Sequence, residues 1–448
     1  MILKRIKELG RGGFGRVFEV VNTVDNQHYA LKVFEPNEEL RLMIARGEIL
    51  LEDLKRRFLK EVKYQCQISS ENVVKIFHYD LNEEFPWYVM ELGIGTLKDD
   101  LNVDKSFGGN PKKALFDILA GLEAIHYLGI VHRDLKPVNI IKLPNQDGTF
   151  RYAISDFGLI TAVHSDTTTI TKTGHGGGTA IYAAPELLSN FRHATSVADI
   201  YSFGAILHDI FGTGIRHPYA QLSVPEPCKK IVEKCTHKNG LRRYQDVTDL
   251  RSDLTEVLET AALTFSSPEE EEVIGLLQTK DKLTDDEWDM FFELLNKSSE
   301  EWMILYKLFL ALRTAHFTEL ASTAPGLLNA LGMEFSSYTR RYSHNFNYCD
   351  VLADKLEAFF NLGKVALKAH CLITLLMMGV GHNRWFVERK LLVLANHSCD
   401  DVVIDRLLMD VETDSIDLRR FLMGWHNSLG LSLELLHPKL YKFASNVV

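Results

Sequence analysis

The spacing of apolar residues changes several times along the chain. From Met1 to Val33 they alternate with polar residues around glycines and an Asp-Asn turn, which predicts three hairpin-linked strands. Asn37 to Ile68 has helical spacing and is rich in Leu, Glu, Lys and Arg, whereas Val73 to Tyr79 and Trp87 to Leu92 read as two more strands. A small sheet with one helix is expected. From Pro111 onward helical spacing dominates, interrupted near Ile130 to Ile160 by short apolar runs and turn residues, so a second, mostly helical lobe should follow.

The pattern shifts again after Leu258. The polar stretch Thr264 to Glu272 reads as a junction leading into a helix, with Pro268 early and acidic residues in the first turn. We therefore expect an α+β domain over residues 1–263 and an all-α domain over 264–448. In the second, helical stretches of about 12 to 16 residues succeed one another. Leu367 to Val380, Trp385 to Ala395 and Val402 to Met409 are examples, and capping boxes are expected at Thr284 with Glu287 and at Ser298 with Glu301. No fixed repeat period emerges, so a helical bundle and a solenoid-like stack both remain open.

At 448 residues the chain is long enough for two full cores, and 46% hydrophobic with 25% charged residues is globular composition. Sixty acidic against fifty basic residues leave a formal charge of -10 with no Lys/Arg stripe, which argues against a nucleic-acid footprint and favours peptides or proteins as partners. Uncharged apolar runs such as Cys371 to Val380 reach about half of the ~20 residues that span a bilayer. Met1 to Arg16 is charged every few residues and lacks a secretory apolar core. No membrane segment and a cytoplasmic location are expected. The six cysteines contain no C-x-x-C pair, and the seven-residue spacing of Cys228 and Cys235 near His237 stacks both thiols on one helix face, as core residues rather than metal ligands.

Candidate chemistry begins at Gly10-Arg11-Gly12-Gly13-Phe14-Gly15-Arg16-Val17, a G-x-G-x-x-G-x-V run between two predicted strands. Glycines let backbone N–H groups approach phosphate oxygens, and Phe14 at the tip can close over them. Taken alone the run is equally a hairpin turn. Its strand-to-strand setting does argue against a dinucleotide site, where the glycines would lead from strand to helix.

Together with the elements that follow it, this run resembles the eukaryotic-like (Hanks-type) serine/threonine protein kinases, over about residues 1–263. The resemblance implies a bilobal fold, with a small β-rich N-lobe and a helical C-lobe, that uses ATP and Mg²⁺. Lys32 in Tyr29-Ala30-Leu31-Lys32-Val33 matches the strand lysine that pairs with the α- and β-phosphates, with Glu61 as its helix partner and Glu48 and Glu52 as alternatives. In Val131-His132-Arg133-Asp134-Leu135-Lys136-Pro137-Val138-Asn139, Asp134 would accept the substrate hydroxyl proton, Lys136 would neutralise the γ-phosphate and Asn139 would hold a metal ion. Asp156 of Asp156-Phe157-Gly158 supplies the other metal ligand. Gly10, Gly12, Phe14 and Gly15 would cover the phosphates; Met90 would back the adenine pocket, with Glu91 to Gly93 as hinge and Val17, Ala30 and Ile141 against the ring.

The same resemblance makes Thr179 a bridge between Asp134 and Lys136, Asp199 a brace for the catalytic loop, and Arg243 the ion-pair partner of Glu186 in Ala184-Pro185-Glu186. The lysine in Asp134-Leu135-Lys136-Pro137 points to the serine/threonine branch, hence a protein substrate bearing Ser or Thr. Arg133 calls for a counter-charge, which autophosphorylation within Thr167 to Thr173 would provide; the same threonine-rich run reads equally as a polar, mobile loop. A nucleotide-gated scaffold or sensor with weak transfer activity is the competing reading, in which the helical domain binds a regulatory protein.

Three features depart from the family pattern. Gln65 lies one turn after Glu61, where an apolar residue is expected beneath the helix: either Tyr64 or Cys66 points inward instead, or the helix rests in an inactive position. The Lys32 to Glu61 span is longer than usual by about ten residues and adds helical character around Glu38 to Leu54, a plausible regulatory contact. Gly174 to Gly178 would leave the substrate-seating loop free to move, so that ordering it carries an entropic cost.

Overall fold

The computed structural model describes residues 1–157, 180–189, 195–260, 263–382 and 384–445, all but the side chain of Phe346. These fall into two compact units, Met1–Arg251 and Ser252–Val448.

The first unit opens with strands β1 (Leu3–Arg11), β2 (Gly15–Asn22) and β3 (His28–Phe34), paired antiparallel. The expected single helix from Asn37 is two, α1 (Glu38–Ala45) and α2 (Leu51–Gln65), because the chain turns at Gly47, whose φ of 70° lies in the left-handed region that glycine adopts without strain. Strands β4 (Ile76–Asp80) and β5 (Trp87–Met90) complete a sheet of order β1-β2-β3-β5-β4. Val73 makes only a bridge to Ile154, so β4 starts later than the apolar run suggested.

Helix α2 buries Leu54, Phe58, Glu61, Val62 and Gln65, a stripe of i, i+4, i+7, i+8, i+11 that includes two polar residues. Its anchor is Phe58, fully buried edge-on to Phe34, 5.5 Å between ring centroids, and beside Tyr88. Truncating such a residue to alanine costs about 3–5 kcal/mol.

The helical lobe follows. A short strand β6 (Gly95–Thr96) leads into α3 (Leu97–Val103), where Thr96 and Asp99 form a capping box, and then α4 (Lys112–Tyr127). Strands β7 (Ile140–Pro144) and β8 (Phe150–Ile154) pair with β6 in a second sheet of order β6-β7-β8. Helices α5 (Glu186–Ser189), α6 (Val197–Phe211) and α7 (Lys229–Cys235) complete the lobe, with α6 buried along most of its length, and the boundary between the two units falls within α8 (Val247–Thr260). Cys228 and Cys235 are buried as free thiols.

In the second unit the described elements are helical: α9 (Pro268–Thr279), α10 (Asp285–Lys297), α11 (Trp302–Ala311), α12 (Thr314–Thr323) and α13 (Pro325–Arg341) are followed by α14 (Phe346–Leu362), α15 (Val365–His382), α16 (Trp385–Leu394), α17 (Asp401–Thr413), α18 (Leu418–Leu429) and α19 (Pro438–Ser445). The junction residue Ser267 caps α9, and Thr284 and Glu287 form the expected capping box of α10. The box expected at Ser298 and Glu301 does not form. Ser298 is taken up as the C-cap of α10, a turn follows, and Glu301 itself occupies the N-cap of α11 with no side-chain bond, so the new helix starts three residues later than the pattern suggested.

Among the described residues the main helix contacts of this unit join helices no more than three places apart, as α13 to α15, α14 to α16 and α15 to α17. That is the pattern of a stacked helical array, in which each element buries its face against near neighbours. Helix α15 is long and apolar enough to cross a membrane by length and composition, with mean hydropathy 1.5, because the apolar run extends beyond Cys371 to Val380. Here it is the core helix: Leu367, Cys371, Leu372, Leu375 and Leu376 are buried among α13, α14, α16, α17 and α18.

Candidate active site

The site assembles where the five-stranded sheet faces the segment from β6 to Phe157. Lys32 and Tyr88 are register partners on β3 and β5. Lys32 donates from Nζ to Glu61 Oε1 at 2.7 Å and to Asp156 Oδ1 at 3.2 Å. Tyr88 donates its hydroxyl to the same Glu61 oxygen at 2.7 Å. Burial alone would disfavour the lysine's charge, but the carboxylates of Asp156 and Glu61 hold its pKa well above the ordinary value. Lys32 in turn holds the Asp156 carboxyl below its ordinary value against the effect of desolvation. The carboxylate of Glu61 is fully buried, and its second oxygen, Oε2, has no hydrogen-bond partner.

Of the three helix glutamates considered, Glu61 is therefore the one that meets Lys32. Tyr88 was not foreseen. Strand alternation alone carries the signal, since Tyr88 lies two residues before Met90 on the same face of β5.

The loop from His132 to Asn139 is held from below. Asp199 on α6 accepts the backbone N–H groups of His132 (2.8 Å) and Arg133 (2.7 Å) and a ring nitrogen of His126 (2.8 Å). Burial would raise its carboxyl, but these bonds outweigh burial and keep it below the ordinary range. His132 accepts from the Asp134 N–H at Nδ1 and bonds Ser155 O through Nε2 at 3.0 Å, so its neutral tautomer is set with the proton on Nε2. Its ring also meets that of Phe157, 5.1 Å between centroids.

Above this base, Lys136 Nζ donates to Asp134 Oδ2 at 2.8 Å. Asn139 Nδ2 donates to the Asp134 carbonyl at 2.8 Å, which turns the amide oxygen away from that loop, and Ser155 N–H donates to Asn139 O at 2.8 Å, tying the two loops together. Arg133 and Asp156 both take positive φ, 68° and 64°, a conformation uncommon outside glycine and more frequent in functional loops. An amide oxygen from Asn139 and a carboxylate from Asp156, on tethered neighbouring loops, form a donor set that suits Mg²⁺, whose remaining positions phosphate oxygens and water would fill.

Around the rest of the cleft, Ala30 and Met90 are buried in one apolar cluster, and Val17, Ile141 and Phe14 pack against it. At Gly15 a Cβ would overlap the Val33 carbonyl oxygen, and at Gly93 it would overlap Ile141 Cγ2 and crowd Lys142 O. Gly10, by contrast, faces open space, and a Cβ on Gly12 would stand 3.8 Å from the Gly15 carbonyl oxygen, an ordinary contact. Glu91, expected in the hinge, uses its side chain to accept from Lys75 N–H (2.9 Å) and from Arg151 (2.5 Å). Arg243 grips Glu186 with two bonds of 2.6 and 2.8 Å.

Gln65 does point inward, while Tyr64 is half-buried and Cys66 exposed. Helix α2 keeps the Lys32–Glu61 pair closed, and Gln65 is accommodated by donating Nε2 to Val74 O at 2.6 Å, with Oε1 buried and unpaired. Thr179, Thr167 to Thr173 and Gly174 to Gly178 lie outside the described residues.

Residues 3–260 match the family model for the protein kinase domain. The probable serine/threonine-protein kinase PknB of Lactococcus lactis is 28% identical over 272 residues, 56% of this chain and 41% of that protein. The serine/threonine-protein kinase PrkC of Bacillus subtilis is 29% identical over 297 residues, 60% of this chain and 43% of that protein. PknL of Mycobacterium tuberculosis is 30% identical over 280 residues, 57% of this chain and 65% of that protein. The match thus spans less than half the length of the first two relatives.

Proposed function

Because this chain belongs to the protein kinase family, we propose that it transfers the γ-phosphate of ATP to Ser or Thr hydroxyls of protein substrates. The single observation that carries the reading is the joint placement of Lys32, Glu61, Asp134, Lys136, Asn139 and Asp156 around one cleft, with Lys32 bonded to both Glu61 and Asp156.

Each residue then has a task. The Lys32 ammonium, fixed by Glu61 and Tyr88, is positioned to bind the α- and β-phosphates. Asn139 and Asp156 would hold Mg²⁺, which supplies charge neutralisation along the triphosphate when bound. Asp134 orients the substrate hydroxyl and accepts its proton, while Lys136, 2.8 Å from Asp134, offsets charge developing on the transferred group. Asp199 acts through the loop, by holding the backbone beneath Asp134. The serine/threonine names of the relatives and Lys136 in Asp134-Leu135-Lys136-Pro137 support hydroxyl substrates of that class. Autophosphorylation within Thr167 to Thr173 belongs to the same proposal, and mass spectrometry finding none in active protein would remove it.

The direct test incubates the full chain with Mg²⁺, labelled ATP and a generic protein substrate. Transfer should occur and should fall by a factor on the order of 10²–10⁴ in Asp134→Asn. Equal labelling by the two proteins would overturn the reading.

For the helical unit we propose regulation or substrate recruitment, supported by its stacked arrangement, which presents extended surface. A chain ending at Leu263 with unchanged transfer kinetics would leave that role without support.

A further inference from the structure

The structure assigns a role to the connection between β3 and α2: we propose that Glu35 and α1 position the tip of the Gly10–Val17 loop for binding the phosphates of the nucleotide. The proposal rests on reading that loop as the phosphate-contacting element.

Two backbone bonds carry the argument. Past the last register pair of β2 and β3, Gly15 with Phe34, the Glu35 N–H donates to Phe14 O and the Asn37 N–H donates to Gly13 O, both at 3.0 Å. In a trans peptide the carbonyl and the following N–H point to opposite sides of the chain. Fixing the Gly13 and Phe14 carbonyls on the connection therefore turns the N–H groups of Phe14 and Gly15 the other way. Those are the donors a phosphate would need.

The side chains reinforce this tether. The Glu35 carboxylate meets Arg11 on β1 (3.5 Å), Arg16 on β2 (3.5 Å) and Arg41 on α1 (2.9 Å), so one acid joins both arms of the hairpin to the helix. Arg41 Nε also donates to Pro36 O at 2.9 Å. Asn37 caps α1 by accepting from Leu40 N–H at 2.9 Å, and Leu40 Cδ1 lies 3.8 Å from where a Gly13 Cβ would stand. Leu40 and Met43 anchor α1 in the apolar cluster that contains Ala30 and Met90. The added helix is thus built into the same core as the cleft, directly behind the loop tip.

The test compares wild type, Glu35→Gln, Glu35→Asp and Arg41→Gln as full chains, measuring binding of ATP with Mg²⁺ and of adenosine by calorimetry, with thermal unfolding of each. Glu35→Gln is expected to weaken ATP binding about three- to fivefold, the scale of a partly exposed ion-pair network, and to leave adenosine binding unchanged. Arg41→Gln should act in the same direction with smaller effect, and Glu35→Asp should recover part of the loss. ATP affinity unchanged in Glu35→Gln, or an equal loss for ATP and adenosine, overturns the positioning role. Wild type binding ATP no more tightly than adenosine would sink the phosphate-loop reading instead.

Discussion

Lys32 Nζ lies 2.7 Å from Glu61 Oε1 across twenty-nine residues of chain, and the carboxylate it meets is fully buried. Removing one partner of such a pair leaves the other charge without compensation. Lys32→Met is therefore expected to lose about 3–5 kcal/mol of stability by denaturant unfolding. The double change Lys32→Met with Glu61→Leu should recover much of that stability, because two apolar groups replace two charges, while transfer activity stays lost. Restored activity in the double variant would contradict the assigned roles.

Asp199 provides a pH dependence. Its carboxyl is held below the ordinary value despite burial, through bonds from His126 and the loop N–H groups. A depressed folded-state pKa contributes stability in full above the unfolded value of about 3.9 and loses it as pH falls through the folded value. The urea-midpoint difference between wild type and Asp199→Asn should be constant from neutral pH down to about 5 and should narrow in stronger acid.

Gln65 is a polar residue on the buried face of α2. Its amide nitrogen feeds Val74 O and its oxygen has no donor, so Gln65→Glu would place a carboxylate against a carbonyl inside an apolar face. Such a carboxyl has a raised folded-state pKa, so the penalty is present above that value and relieved by protonation below it. The melting temperature of Gln65→Glu should trail wild type at neutral pH and approach it near pH 4 to 5, as expected for a buried acid with a pKa of about 5 or more. A gap independent of pH would refute this.

Two glycines of the first loop should separate by substitution. Gly15→Ala forces a Cβ onto the Val33 carbonyl and should cost about 1–3 kcal/mol, as overpacking does. Gly10→Ala enters open space and should leave the unfolding midpoint close to wild type. Calorimetric melts of both check the contrast.

Legibility followed the range of the interaction. The three opening strands, the start of α9 at Pro268 and the capping box at Thr284 depend on residues a few positions apart, so local pattern revealed them. The Ser298 box failed because a four-residue cap signal cannot tell a residue that opens a helix from one that closes the helix before it, as Ser298 does for α10. Motif order brought Asp134, Asn139 and Asp156 into view, whereas Tyr88 and Glu35 carry no motif, and their partners, Glu61 on α2 and the arginines of β1, β2 and α1, are brought to them by the fold.

The primary structure thus determined which groups are available for phosphoryl transfer and in what order they occur, since that is a matter of residue type and short spacing. Tertiary packing alone decided that Glu61 rather than Glu48 or Glu52 faces Lys32, that Gln65 turns inward, and that the added helix sits behind the glycine loop. Those choices depend on which face of α2 and α1 is buried, and burial is set by the whole core at once.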